Sequence, residues 1–102
     1  SGETNIYLVA DNGKQIKLGI IDLSWQTSTI TSGTYTVSSS WSTGVIYSGW
    51  YGTDWNDGIG FASGTADIKN NGNGTYTINV NITLTNDESY NGVYNGAIDG
   101  MR

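Results

Sequence analysis

The segment from Thr75 to Thr85 reads Thr-Tyr-Thr-Ile-Asn-Val-Asn-Ile-Thr-Leu-Thr, an unbroken alternation of apolar and small polar side chains. Successive side chains on a strand point to opposite faces, so this pattern belongs to a strand with one face buried and one in water. Tyr76, Ile78, Val80, Ile82 and Leu84 therefore form one wall of a core, and a strand of this kind needs neighbours. The adjoining sequence supplies them on both sides. Phe61 to Ile68 precedes it across Lys69-Asn70-Asn71-Gly72-Asn73-Gly74, rich in the residues that accept positive φ in a hairpin. Asn86-Asp87-Glu88-Ser89 provides a second turn, after which Tyr90, Gly92, Tyr94, Gly96 and Ile98 alternate with Asn91, Val93, Asn95 and Ala97. The last third of the chain is predicted as a three-stranded antiparallel meander.

The first half repeats the theme less regularly. Asn5 to Ala10 and Gln15 to Leu23 flank Asp11-Asn12-Gly13-Lys14, and Asn-Gly between apolar runs is a strong hairpin signal. Within the second run the apolar phase slips, from Ile16, Leu18 and Ile20 to Ile21, Leu23 and Trp25, which predicts a bulge or bend near Gly19. Gly33 to Val37 and Gly44 to Trp50 read as shorter strands, and the stretches Gln26 to Ser32 and Ser38 to Thr43 as loops. The likeness of Ser32-Gly33-Thr34-Tyr35-Thr36-Val37 to Ser63-Gly64-Thr65-Ala66-Asp67-Ile68 reflects similar strand entry, not a repeat. These segments amount to an all-β, antiparallel fold of about seven strands, formed as a single domain over residues 1–102. A β-sandwich is the expected architecture, with a closed or partly open β-barrel as the alternative.

Residue usage restricts the chemistry. The chain has no Cys and no His, which excludes disulfides, thiolate metal sites, cysteine nucleophiles and the commonest acid–base side chain. The formal net charge of −5, with Lys14, Lys17, Lys69 and Arg102 as the only cations, offers no surface for a phosphate backbone, so no nucleic acid partner is expected. The same scarcity argues against electrostatic attachment to an anionic membrane; attachment through a lipid anchor stays open. No apolar stretch approaches transmembrane length, and Ser1-Gly2 reads as a mature or trimmed start, so the chain as it stands is expected to be soluble. No cofactor is implied. Asp22 and Asp67, inside predicted strands, are the two carboxylates worth inspecting as a glycosidase pair, yet an acidic residue on a strand's wet face is ordinary. The expectation is a protein that is not an enzyme.

The most unusual segment runs from Trp41 to Phe61, where Trp41, Tyr47, Trp50, Tyr51 and Trp55 stand among Gly, Ser and Asp. Exposed aromatic faces stack on the apolar face of a sugar ring while neighbouring amides and carboxylates take hydroxyl hydrogen bonds. Trp41, Trp50, Tyr51 and Trp55, with Asp54 and Asn56, are therefore the candidate ligand-binding residues. The competing account is that a chain short of Leu, Val and Phe needs these rings in its core. Asp54, Asn56 and Asp57 before Gly58 also offer oxygen ligands of the kind Ca²⁺ takes, but the spacing departs from an EF-hand and a solvated turn explains the same residues. Asn73-Gly74-Thr75 and Asn81-Ile82-Thr83 fit the N-glycosylation pattern, which is short and common by chance.

Ser63-Gly64-Thr65, Gly74-Thr75-Tyr76-Thr77-Ile78 and Asn91-Gly92-Val93-Tyr94-Asn95-Gly96-Ala97-Ile98, with Gly33-Thr34-Tyr35-Thr36-Val37 upstream, resemble small secreted or lipid-anchored domains of gut Bacteroidetes, most of unknown function. The resemblance implies an all-β fold and an extracytoplasmic location, at the cell surface or secreted, within a glycan-handling or adhesive assembly. It carries over no catalytic residue and matches nothing onto Trp50 to Asp57. Two functions follow as expectations: a non-enzymatic surface domain that binds carbohydrate, or a structural or adhesion module whose strand edge contacts a protein partner.

Overall fold

The computed structural model describes residues 3–9, 13–24, 29–53 and 56–97. Its strands are β1 (Glu3–Val9), β2 (Gln15–Ile21), β3 (Gly33–Val37), β4 (Val45–Gly52), β5 (Ile59–Asn70), β6 (Thr75–Leu84) and β7 (Ser89–Ala97). The alternating segment is β6, with Tyr76, Ile78, Val80, Ile82 and Leu84 all buried. It pairs antiparallel with β5 on one side and β7 on the other, so the C-terminal meander forms as expected. The first hairpin also forms, β1 against β2 from Glu3↔Ile21 to Val9↔Gln15.

The sheet is mixed, which corrects the purely antiparallel expectation. β3 and β4 run parallel, with Thr36 beside Val45 and Val37 beside Ile46. Residues 38–44 do not reverse the chain; they step it sideways. The Ser38 N–H bonds to the Ile46 carbonyl at 3.1 Å and the Gly44 N–H to the Ile21 carbonyl at 2.9 Å, so β4 resumes in the direction of β3 one position over.

The two-sheet sandwich is not formed either. All seven strands lie in one sheet of order β1-β2-β4-β3-β5-β6-β7. The reason lies in β5, which is 12 residues long. Its start pairs with β4 (Trp50↔Gly60, Tyr51↔Ile59), its end pairs with β3 (Gly33↔Ile68 to Thr36↔Thr65), and β6 lines its other edge. Paired with all three neighbours, β5 joins them into one continuous sheet. The β5–β6 register shifts between Phe61 and Ser63, next to Gly64 at φ 131°, and such a bulge lets a sheet curl. The curled inner face closes on itself: Ile6 and Leu18 share one buried cluster with Ile78 and Val80, and Tyr90 and Tyr94 of β7 pack against it. The sheet is thus nearly closed into a barrel, with β1 and β7 as its edge strands.

One end of this barrel is covered by the connection between β2 and β3. Ile30 is fully buried there, its N–H donating to the Tyr76 hydroxyl at 3.2 Å and its carbonyl accepting from Asn70 Nδ2 at 3.1 Å. Asp22 is also fully buried, and its carboxylate accepts from the Ser24 N–H (2.8 Å), the Thr31 N–H (2.6 Å) and the Thr31 hydroxyl (2.7 Å). The Tyr35 hydroxyl donates to the Thr31 carbonyl at 2.6 Å and lies 3.3 Å from Asp22. Burial pushes the Tyr35 phenol up to about 12, the Asp22 carboxylate acts in the same direction, and the Leu23 N–H acts against them.

Candidate functional site

The β2–β4 ladder carries the predicted irregularity. Gly19 pairs with Ser48 and Ile20 with Ile46, so the extra residue sits on β4 and is Tyr47. A bulge of this kind takes one side chain out of the regular alternation and re-aims it. Tyr47 is 39% exposed, and its ring meets that of Trp41, 47% exposed, edge to face with centroids 4.8 Å apart and planes at 83°. The two rings form a corner, one the floor and the other the wall.

A cleft of about 280 Å³ lies beside them. The ladder from β4 to β3 ends at Ile46, the ladder from β4 to β5 begins at Trp50, and the cleft occupies the interruption between them. Val37, Ile46 and Phe61 give it apolar walls, and Tyr47 and Ser48 give it hydroxyls. Gly49 is required by this construction, because a Cβ there would fall onto the Phe61 ring. Lys17 on β2 reaches across and donates from Nζ to the Ser48 hydroxyl at 2.7 Å. The volume is near the lower end of the range for small-molecule sites, and the mixture of apolar walls with a few polar groups is the usual composition of one.

Of the six residues expected to bind ligand, the four that the structure describes, Trp41, Trp50, Tyr51 and Asn56, do not assemble as a group. Trp41 stands at the cleft through Tyr47. Trp50 and Tyr51 are consecutive on a strand and so point to opposite faces. Trp50 is half-buried on the outer face, across from Lys17 and with its ring 6.5 Å from that of Tyr7. Tyr51 turns inward, its ring 4.9 Å from Tyr90 and under the Lys14 ammonium at 5.5 Å, and it belongs with the core. Asn56 is exposed in the connection between β4 and β5, while Asp54 and Trp55 lie outside the described residues. Asp57, the third residue of the proposed Ca²⁺ turn, spends both carboxylate oxygens on Thr53, accepting from its N–H at 2.9 Å and from its hydroxyl.

The carboxylates inspected as a catalytic pair are kept apart by the same alternation. Tyr35 faces inward and contacts Asp22, whereas its neighbour Thr34 faces outward and donates to Asp67 at 2.5 Å. Ser48, Lys17 and Phe61 are not among the residues the sequence offers as ligand-binding candidates, and Tyr47 stands out there only as one ring of the aromatic segment. The slipped apolar phase at Gly19 to Ile21 betrays the bulge, but on the partner strand. Comparison of the chain with protein-family models, with curated proteins and with solved structures found no match in any of the three.

Proposed function

We propose that this protein is a non-enzymatic, extracytoplasmic binding domain whose ligand is a carbohydrate held at the cleft between β3, β4 and β5. The observation that carries the reading is the exposed, perpendicular Trp41–Tyr47 pair at the margin of that cleft. An aromatic face exposed to water attracts the C–H face of a pyranose, and a second ring at a right angle limits how the sugar can sit. Hydroxyls of Tyr47 and Ser48 and the Lys17 ammonium supply polar groups within reach of the same space. A non-enzymatic role is supported by the use of Asp22, whose carboxylate already serves the N–H groups of Ser24 and Thr31 and is fully buried.

The test is a glycan array followed by titration calorimetry with the best oligosaccharide. Binding that drops on Trp41→Ala and on Tyr47→Ala, while both variants keep the wild-type circular dichroism and melting temperature, supports the reading. No glycan bound, or binding unaffected by both substitutions, removes it.

A further inference from the structure

The β6–β7 ladder determines which backbone groups of β7 face outward. Across the turn the Leu84 N–H donates to the Glu88 carbonyl at 2.7 Å. In an antiparallel pair, hydrogen-bonded and non-bonded residue pairs alternate, so Ile82↔Tyr90, Val80↔Gly92, Ile78↔Tyr94 and Tyr76↔Gly96 are the bonded ones. The intervening residues, among them Asn91, Val93 and Asn95, direct their N–H and C=O groups away from β6. Among the described residues no strand covers that edge.

The sequence of the edge does nothing to block pairing. Ser89 to Ala97 contains no charged residue and no proline, although edge strands are commonly protected by Lys, Pro or a bulge. Val93 at its centre is 65% exposed. An antiparallel ladder about a two-fold axis through Val93 would be centred on Asn91 to Asn95, since the Ala97 carbonyl already accepts from the Tyr94 hydroxyl. It sets Val93 against the partner's Val93 and Asn91 against the partner's Asn95, an apolar contact flanked by two amide pairs. On the inner face it sets Tyr90 against the partner's Gly96 and Tyr94 against the partner's Gly92.

We propose that β7 is an interface, and that its occupant is β7 of a second copy of this chain, paired antiparallel and centred on Val93. Edge pairing buries little area, so the dimer is of the weak, concentration-dependent class. It extends one sheet across both copies.

The chain has no Cys, which makes the register directly testable by single cysteines. In the proposed ladder the two copies of position 93 have Cα atoms about 5.5 Å apart, within disulfide reach, and the two copies of position 91 are more than about 13 Å apart. Mild oxidation of Val93→Cys is expected to yield at least tenfold more covalent dimer than Asn91→Cys. Sedimentation of the wild-type chain is expected to show the mass rising from 10.9 kDa toward twice that value with concentration. Val93→Pro removes an outward N–H that β6 does not use, and Val93→Lys sets two like charges opposite each other. Both are expected to stay monomeric with unchanged circular dichroism. A wild-type mass of one chain at every concentration, equal crosslinking at positions 91 and 93, or growth beyond two chains would overturn the proposal.

Discussion

Tyr47 has no partner on β2, because Gly19 pairs with Ser48 and Ile20 with Ile46, and its ring meets Trp41 at 4.8 Å instead. A one-residue insertion in a ladder thus creates the most exposed aromatic pair of the described residues and sets it beside the cleft. The relationship separates two kinds of aromatic residue in this chain, those that fill the barrel and those that a bulge turns out of it.

Trp41→Ala and Tyr47→Ala are each expected to weaken glycan binding about tenfold, which corresponds to ~1.4 kcal/mol. Trp50→Ala, whose ring packs on Tyr7 rather than at the cleft, is expected to change it less than about twofold. Calorimetric titration of the three variants with one oligosaccharide checks the order, and an effect of Trp50→Ala equal to the other two would relocate the site to the Tyr7 side of the sheet.

Asp22→Asn should destabilise the fold by about 2–4 kcal/mol, because it weakens hydrogen bonds to a buried charged acceptor and leaves a donor where an acceptor is needed. Asp67→Asn, at an exposed position, should cost less than about 0.5 kcal/mol. Urea denaturation of both variants measures the difference; similar losses would mean that the loop between β2 and β3 is not held by Asp22.

Stability should fall with pH above about 10. The Tyr35 phenol is raised from 10.0 to about 12 in the folded chain, so between those values the unfolded chain releases a proton that the folded chain retains. The contribution is fully present below pH 10 and is lost as pH rises through 12. Thermal melts of wild type and Tyr35→Phe across this window isolate it: the wild-type curve should be steeper by up to ~1.4 kcal/mol per pH unit. Parallel curves would refute the assignment.

Gly64→Ala should be among the most damaging single substitutions. Gly64 has φ 131°, and a Cβ there would run into the Asn81 carbonyl on β6. Gly72→Ala, with φ 88° but open space around it, should suffer only the backbone strain, about 1–2 kcal/mol. A melting temperature lowered more by Gly72→Ala than by Gly64→Ala would contradict the close approach of β5 to β6.

Much of the strand content was legible because burial on one face writes itself into an alternating sequence. β6 and β7 show this most plainly, from Tyr76 to Leu84 and from Tyr90 to Gly96, and the Asn-Gly turn announced the hairpin of β1 and β2. The bulge was legible too, as a slipped phase at Gly19, though not the fact that the inserted residue belongs to β4. The parallel pairing of β3 with β4 left no local mark, since residues 38–44 read as a loop whether they reverse the chain or step it sideways.

What the sequence by itself determined is therefore what depends on neighbours along the chain: the strands and the turns between them. What only the tertiary structure decided is everything that depends on residues distant in sequence. The single curled sheet in place of a sandwich follows from β5 gripping β3, β4 and β6 together. The cleft follows from where two of those ladders stop, and the Trp41–Tyr47 corner from a register between β2 and β4. Strand register is a sum of many weak contacts between separated segments, and periodicity within one segment carries no information about which partner supplies them.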